Sequence, residues 1–140
     1  MGHRRMRRED WLARLEALIA DAERKLFEWG QHDCCTFAMD AVEAVTGRHP
    51  LPELRGAYAS RLGAARWLAE RGFEDLPSAL DVYAGARRPG PRLAQRGDVV
   101  LVKDFAAGVM DGAGLVACIS ADHHGLVRLA PTDVIAAWGA

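Results

Sequence analysis

Trp11, Leu15, Leu18, Ile19, Ala22 and Leu26 recur at steps of three and four, which predicts an amphipathic helix over residues 9–27. Glu9 and Asp10 open it, where the positive end of the helix dipole favours acids, and Arg14, Glu16, Asp21, Glu23, Arg24 and Lys25 fill its polar face. Gly30 interrupts the pattern. The period resumes abruptly at Cys34, with Phe37, Ala38, Ala41, Val42 and Val45 as the apolar stripe, Asp33 as a natural N-cap and Thr46-Gly47 as the stop. Residues 48–57 carry two prolines and a glycine and read as a loop. Ser60 can cap a third helix to about Arg71, with Leu62, Ala65, Trp67 and Leu68 as buried candidates, and Pro77-Ser78 starts a short fourth one, Ala79 to Tyr83. Residues 87–91 form a Pro/Gly-rich connector.

Beyond the connector the pattern changes to short apolar runs of β character: residues 98–102, 115–119 and 126–130, the last two close enough to pair as a hairpin through residues 122–125. Residues 134–138 suit either a last strand or a helical turn. Helices first and strands second predict an α+β fold, with N-terminal helices packed on a small antiparallel sheet. The stripe of the second helix is expected against Val100, Val102, Val116 or Cys118.

Composition changes this picture little. The chain has 140 residues, 50% hydrophobic and 26% charged, with a formal net charge of -1. That is the profile of one globular domain with no global attraction to nucleic acid or membrane. Residues 1–8 are a basic N-terminal arm and residues 9–140 the domain. No apolar run reaches the ~18 residues of a membrane helix, and no secretory signal is legible, so synthesis in a cytoplasm is expected. Three cysteines, two of them adjacent, make neither a disulfide framework nor a zinc pattern. No metal or cofactor is expected.

The candidate chemistry lies in Trp29-Gly30-Gln31-His32-Asp33-Cys34-Cys35. A cysteine in the first turn of a helix meets unpaired N–H groups and the positive dipole end, which together favour the thiolate. Cys34 stands at that position, which equally suits a small buried cysteine. Cys35 and Cys118 read as packing residues. A cysteine hydrolase also needs a base. His32 is a subsidiary candidate, too close in sequence for in-line geometry. His49 sits in a Pro-rich loop, and His123 and His124 occupy a hairpin tip.

Phe27-x-Trp29-Gly30 followed by Asp33-Cys34, then Arg96-Gly97-Asp98-Val99-Val100, resembles the NlpC/P60 group of papain-like cysteine peptidases. It is more similar still to a small phage and prophage family within that superfamily, through Trp29-Gly30, Asp33-Cys34, Thr46-Gly47, Arg55-Gly56-Ala57-Tyr58, Gly97-Asp98 and Trp138. The resemblance implies Cys34 as nucleophile, with Trp29, Gly30, Asp33, Gly97 and Asp98 as supporting residues. It implies either an active thiol peptidase or amidase that cleaves cell-wall peptides, or a tail-tip or tail-assembly component with a degenerate site. Other phage tail proteins are then the partners, and the product is made in a bacterial cytoplasm and incorporated into a virion tail. Two departures matter. The Ser-Gly that follows the nucleophile is Cys35-Thr36 here, and the histidine that starts the strand after Gly97-Asp98 is missing. Its place is expected near Ala113-Gly114, with His123 and His124 at the far end of that strand.

Overall fold

The computed structural model describes residues 7–103 and 106–139. Four α-helices come first: α1 (Trp11–Ala22), α2 (Cys34–Thr46), α3 (Arg61–Glu70) and α4 (Leu76–Tyr83). Six strands follow: β1 (Ala86–Arg87), β2 (Val99–Val102), β3 (Ala106–Met110), β4 (Val116–Ser120), β5 (Gly125–Leu129) and β6 (Val134–Gly139). They form one antiparallel sheet in the order β1-β6-β2-β3-β4-β5. The α+β class and the antiparallel sheet are as the pattern predicts. No helix among the described residues is long and apolar enough to cross a membrane.

The ends of α2 follow from local chemistry. The Asp33 carboxylate accepts from the Thr36 amide, and the Thr36 side chain accepts from the Asp33 amide, so two otherwise orphaned donors are satisfied reciprocally. Gly47 closes the helix at φ 86°, where a side chain would be strained. The stripe is buried, but not where expected. Phe37 and Ala41 pack with Val109, Ala117 and Ile119, and Val42 packs with Val99, Leu101 and Ala107. Val100, Val102, Val116 and Cys118 belong to the opposite face, which forms its own apolar cluster with Met110, Val134 and Ala137. Alternate residues of a strand point to opposite faces, so choosing the wrong set inverts every contact.

Two helix boundaries and the burial of α3 differ from expectation, and the open choice at residues 134–138 is resolved. α1 stops at Ala22, and Leu26 is solvent-exposed, because the chain turns there to let the Phe27 amide donate to the His124 carbonyl. α3 has no buried residue, and Leu62 is exposed on it. α4 begins at Leu76, capped by Asp75, ahead of the expected start. Residues 134–139 are a strand, which pairs with β2.

The strand without a sequence signal is β3, Ala-Ala-Gly-Val-Met. Small residues carry little β propensity, yet they are what the site demands. A Cβ on Gly108 would lie 2.8 Å from both the Ala117 carbonyl oxygen and a Val116 methyl. Of the N-terminal arm, Arg7 and Arg8 fall among the described residues, and both dock on the domain. The Arg8 amide donates to the Val45 carbonyl, and the Arg7 guanidinium stacks on Trp11 and reaches Asp98. His3, Arg4 and Arg5 lie outside the described residues.

Candidate functional site

Cys34 occupies the first position of α2, half-buried, directly after its cap. Asp33 is the centre that holds this helix start. Its side chain is fully enclosed and accepts three hydrogen bonds: the cap bond from the Thr36 amide (2.9 Å), and two more from the Gly30 amide (2.8 Å) and the Tyr58 hydroxyl (2.7 Å). The Gly56 amide donates to the Gly30 carbonyl (2.8 Å), and Arg55 donates to the Gln31 carbonyl while gripping Asp40 of α2 with two bonds. The Trp29-Gly30 turn and the Arg55-Gly56-Ala57-Tyr58 loop are therefore one clamp on the start of α2. Tyr58 had no role in the residue-level reading. Burial and the nearby Cys35, Asp33 and Cys34 drive its hydroxyl far above the usual phenol range, so it remains a donor. Trp29 is half-buried, with its ring edge-on to Phe27 at 4.9 Å.

The thiols converge. Cys34 Sγ lies 3.9 Å from Cys35 Sγ. Cys118 Sγ donates to the Ala107 carbonyl at 3.3 Å, and the Ala107 backbone is close enough to act on the Cys34 thiol. The Cys34 thiol is held below the ordinary cysteine range, first by the hydrogen bond from Cys35 and then by the Ala107 backbone; burial and the Asp33 charge oppose this. Cys35 is pushed well above that range by the same bond and by burial. Burial, with the Cys34 charge as a lesser cause, pushes Cys118 up to about 12. Cys35 and Cys118, read as packing from sequence, belong to the surroundings of Cys34.

The place of the missing histidine also moves. Gly97-Asp98 leads into β2, the next strand is β3, and the start of β3, Ala106-Ala107, lies against Cys34. Ala113 and Gly114 sit instead in the β3–β4 turn, held by Asp111, at the other end of β3. Because β3 inserts one reversal, the far end of β4 returns to the Cys34 end of the sheet. His123 follows β4 there, exposed, with Nδ1 3.1 Å from Ser120 Oγ. His124 takes φ 59° in the same turn. His49 is engaged elsewhere: Nδ1 accepts from the Leu51 amide, so Nε2 donates to Asp40. The groups that act on the Cys34 thiol are Cys35, Ala107 and Asp33, with no imidazole among them in the described residues.

Gly97 and Asp98 support the fold rather than the thiol. Asp98 lies three residues before Leu101, the partner of Ala107, which is ~10 Å along the strand. It anchors Arg7, Arg88 and the Gln95 amide. Among the described residues, no group of three or more His, Cys, Asp or Glu side chains could hold a metal ion.

His32 lies under the clamp, with only 8% of its surface exposed and its ring edge-on to Phe37. Its Nε2 is buried and has no hydrogen-bond partner. Burial, reinforced by Lys25, lowers its pKa below the usual histidine value, so the folded protein keeps it neutral. The unfolded chain binds the proton first as pH falls through ~6.5. Stability is therefore complete above that pH and declines from there toward the lowered folded value. Denaturant midpoints measured from about pH 7.5 to 5.5 should fall in the native protein and fall less in His32→Phe. Equal slopes in the two proteins would contradict this.

No curated protein and no solved structure matches the chain. A family model does, across residues 6–140, and its description is a domain of unknown function. From the basic arm's docked end to the last strand, the clamp, the thiols and the sheet all fall inside that match, and the chain belongs to the DUF6950 family.

Proposed function

We propose that this chain is an NlpC/P60-like domain of phage or prophage type, a tail-tip or tail-assembly component with a degenerate cysteine-hydrolase site. The observation that carries the reading is the start of β3. In the family it resembles, a histidine opens this strand and acts as base to the thiol. Here Ala106 and Ala107 stand against Cys34, and an alanine cannot take a proton. A nucleophile without its base keeps only part of its activity. The clamp adds support, because Gly30, Asp33, Arg55, Gly56 and Tyr58 all engage one another or α2 to present its start, a role that survives loss of chemistry.

The alternative is an active thiol peptidase or amidase on cell-wall peptides. Two observations favour it: the Cys34 thiol is lowered, and the His123-His124 turn lies at the Cys34 end of the sheet. Alkylation of the Cys35→Ser, Cys118→Ser double variant by iodoacetamide separates the two readings. Without an imidazolium partner, the rate at Cys34 should climb with pH above about 7. Cell-wall stem peptides should remain intact. A rate that stays flat down to about pH 5, or cleavage by the native chain that Cys34→Ala and His123→Ala abolish, would establish the enzyme instead. The assembly half of the proposal predicts that Cys34→Ala still co-purifies with tail proteins from a producing lysogen.

A further inference from the structure

We infer that Cys34 and Cys35 form a nucleophile-and-resolver pair that hydroperoxides convert to a vicinal disulfide, which releases the capped start of α2. The inference does not rest on the phage-tail reading, since it needs only the two thiols and the turn that carries them.

Distance, thiol character and space act together here. The sulfurs lie 3.9 Å apart, within hydrogen-bond range of each other. They are unequal: Cys34 is stabilised as thiolate, and Cys35 is kept protonated by its bond to Cys34 and by burial. This is the asymmetry that attack on a peroxide followed by resolution requires. Finally, Cys35 borders an apolar cavity of about 40 Å³ with Met39, Tyr58 and Trp67, which gives its sulfur room to move. Where the resembled family has a serine after the nucleophile, this chain has a second sulfur.

The chemistry balances with a hydroperoxide as the oxidant. The Cys34 thiolate attacks the peroxide oxygen, the O–O bond breaks, and Cys34 becomes a sulfenic acid while the leaving hydroxide or alkoxide takes up a proton. The Cys35 sulfur then attacks Cys34 Sγ. The S–S bond forms, and the hydroxyl leaves as water with the Cys35 proton. Each disulfide consumes one peroxide and two thiols.

The product cannot sit in the helix. Side chains at neighbouring helix positions do not face each other, and the 3.9 Å between the sulfurs must close to a bond of about 2.05 Å. The backbone at Cys34-Cys35 must leave helical geometry, and the Asp33–Thr36 reciprocal cap spans this turn. Oxidation is therefore expected to uncap α2 and loosen the clamp through Gly30 and Tyr58. A strained disulfide of this kind is easily reduced, so the change is reversible.

The experiment is hydrogen peroxide titration of the full chain, followed by non-reducing peptide mapping and thermal unfolding. The expected result is a Cys34–Cys35 disulfide with the loss of two hydrogens, a midpoint several degrees lower, and restoration of both by dithiothreitol. Cys35→Ser should instead accumulate a dimedone-reactive Cys34 with the midpoint unchanged by peroxide. The inference is overturned by a Cys34–Cys118 or intermolecular disulfide, by persistent dimedone labelling of Cys34 in the native chain, or by no peroxide reaction at Cys34. Should Cys35→Ser fold poorly, mapping of the native chain decides alone.

Discussion

Replacing Asp98 by alanine is expected to destabilise the fold by about 3 kcal/mol, at the lower end of the range for breaking a buried charge pair. The carboxylate is fully buried and accepts from Arg88 through two bonds (2.9 and 3.0 Å), from Arg7 (3.1 Å) and from the Gln95 amide (2.9 Å). Truncation leaves two guanidinium groups and an amide facing an apolar void. Arg7 and Arg88 are about one-fifth exposed, so they can partly rehydrate, which holds the cost near the lower limit. Asp98 also joins three distant segments: the N-terminal arm, the connector after β1 and the entry to β2. Its loss should therefore release the arm, and hydrogen exchange at the Arg8 amide, which donates to Val45, should accelerate. A shift in the urea midpoint corresponding to less than about 1 kcal/mol, the value typical of surface pairs, would show that Asp98 is not the anchor described.

Gly30→Ala should cost as much or more, by a different mechanism. Gly30 adopts φ 80°, a region that costs a residue with a side chain about 1–2 kcal/mol. In addition, a Cβ at Gly30 would overlap the Tyr58 carbonyl oxygen, which is backbone and cannot swing aside. The Tyr58 loop must move, and its hydroxyl bond to Asp33 and the Gly56–Gly30 bond go with it. Burying Asp33 with an acceptor unpaired adds about 1–3 kcal/mol. Gly72→Ala separates the two contributions. Gly72 has φ 88° with open space around it, so that variant bears the backbone strain alone. The two alanine variants should differ by more than 2 kcal/mol in denaturant unfolding, and only Gly30→Ala should change the rate of Cys34 alkylation. Equal destabilisation would mean that the clamp does not hold the thiol.

The elements whose ends are set by neighbouring residues were legible without coordinates. Asp33 and Gly47 bound α2 because a cap and a left-handed glycine act within one turn of the backbone. The position of Cys34 follows from the same local chemistry, as does the α+β class from two periods read in succession. Pairing partners were not legible. β3 is alanine and glycine because its neighbours are close, a demand set by β4 and invisible in β3 itself. Missing that strand displaced the vacated histidine position to Ala113-Gly114 and reversed the direction assigned to β4.

The sheet face was inverted for a related reason: an apolar run such as Val99-Val100-Leu101-Val102 is buried on both sides, so its pattern does not say which residues meet α2. Likewise Gly97-Asp98 was recognised as a motif, but only the tertiary structure gave Asp98 its arginines and took it away from the thiol. The sequence by itself determined where Cys34 stands on its helix, since capping is local. What surrounds that cysteine comes from segments far apart in the chain: Tyr58 on one side, Ala107 and Cys118 on the other, brought together by packing and strand register that no local signal encodes.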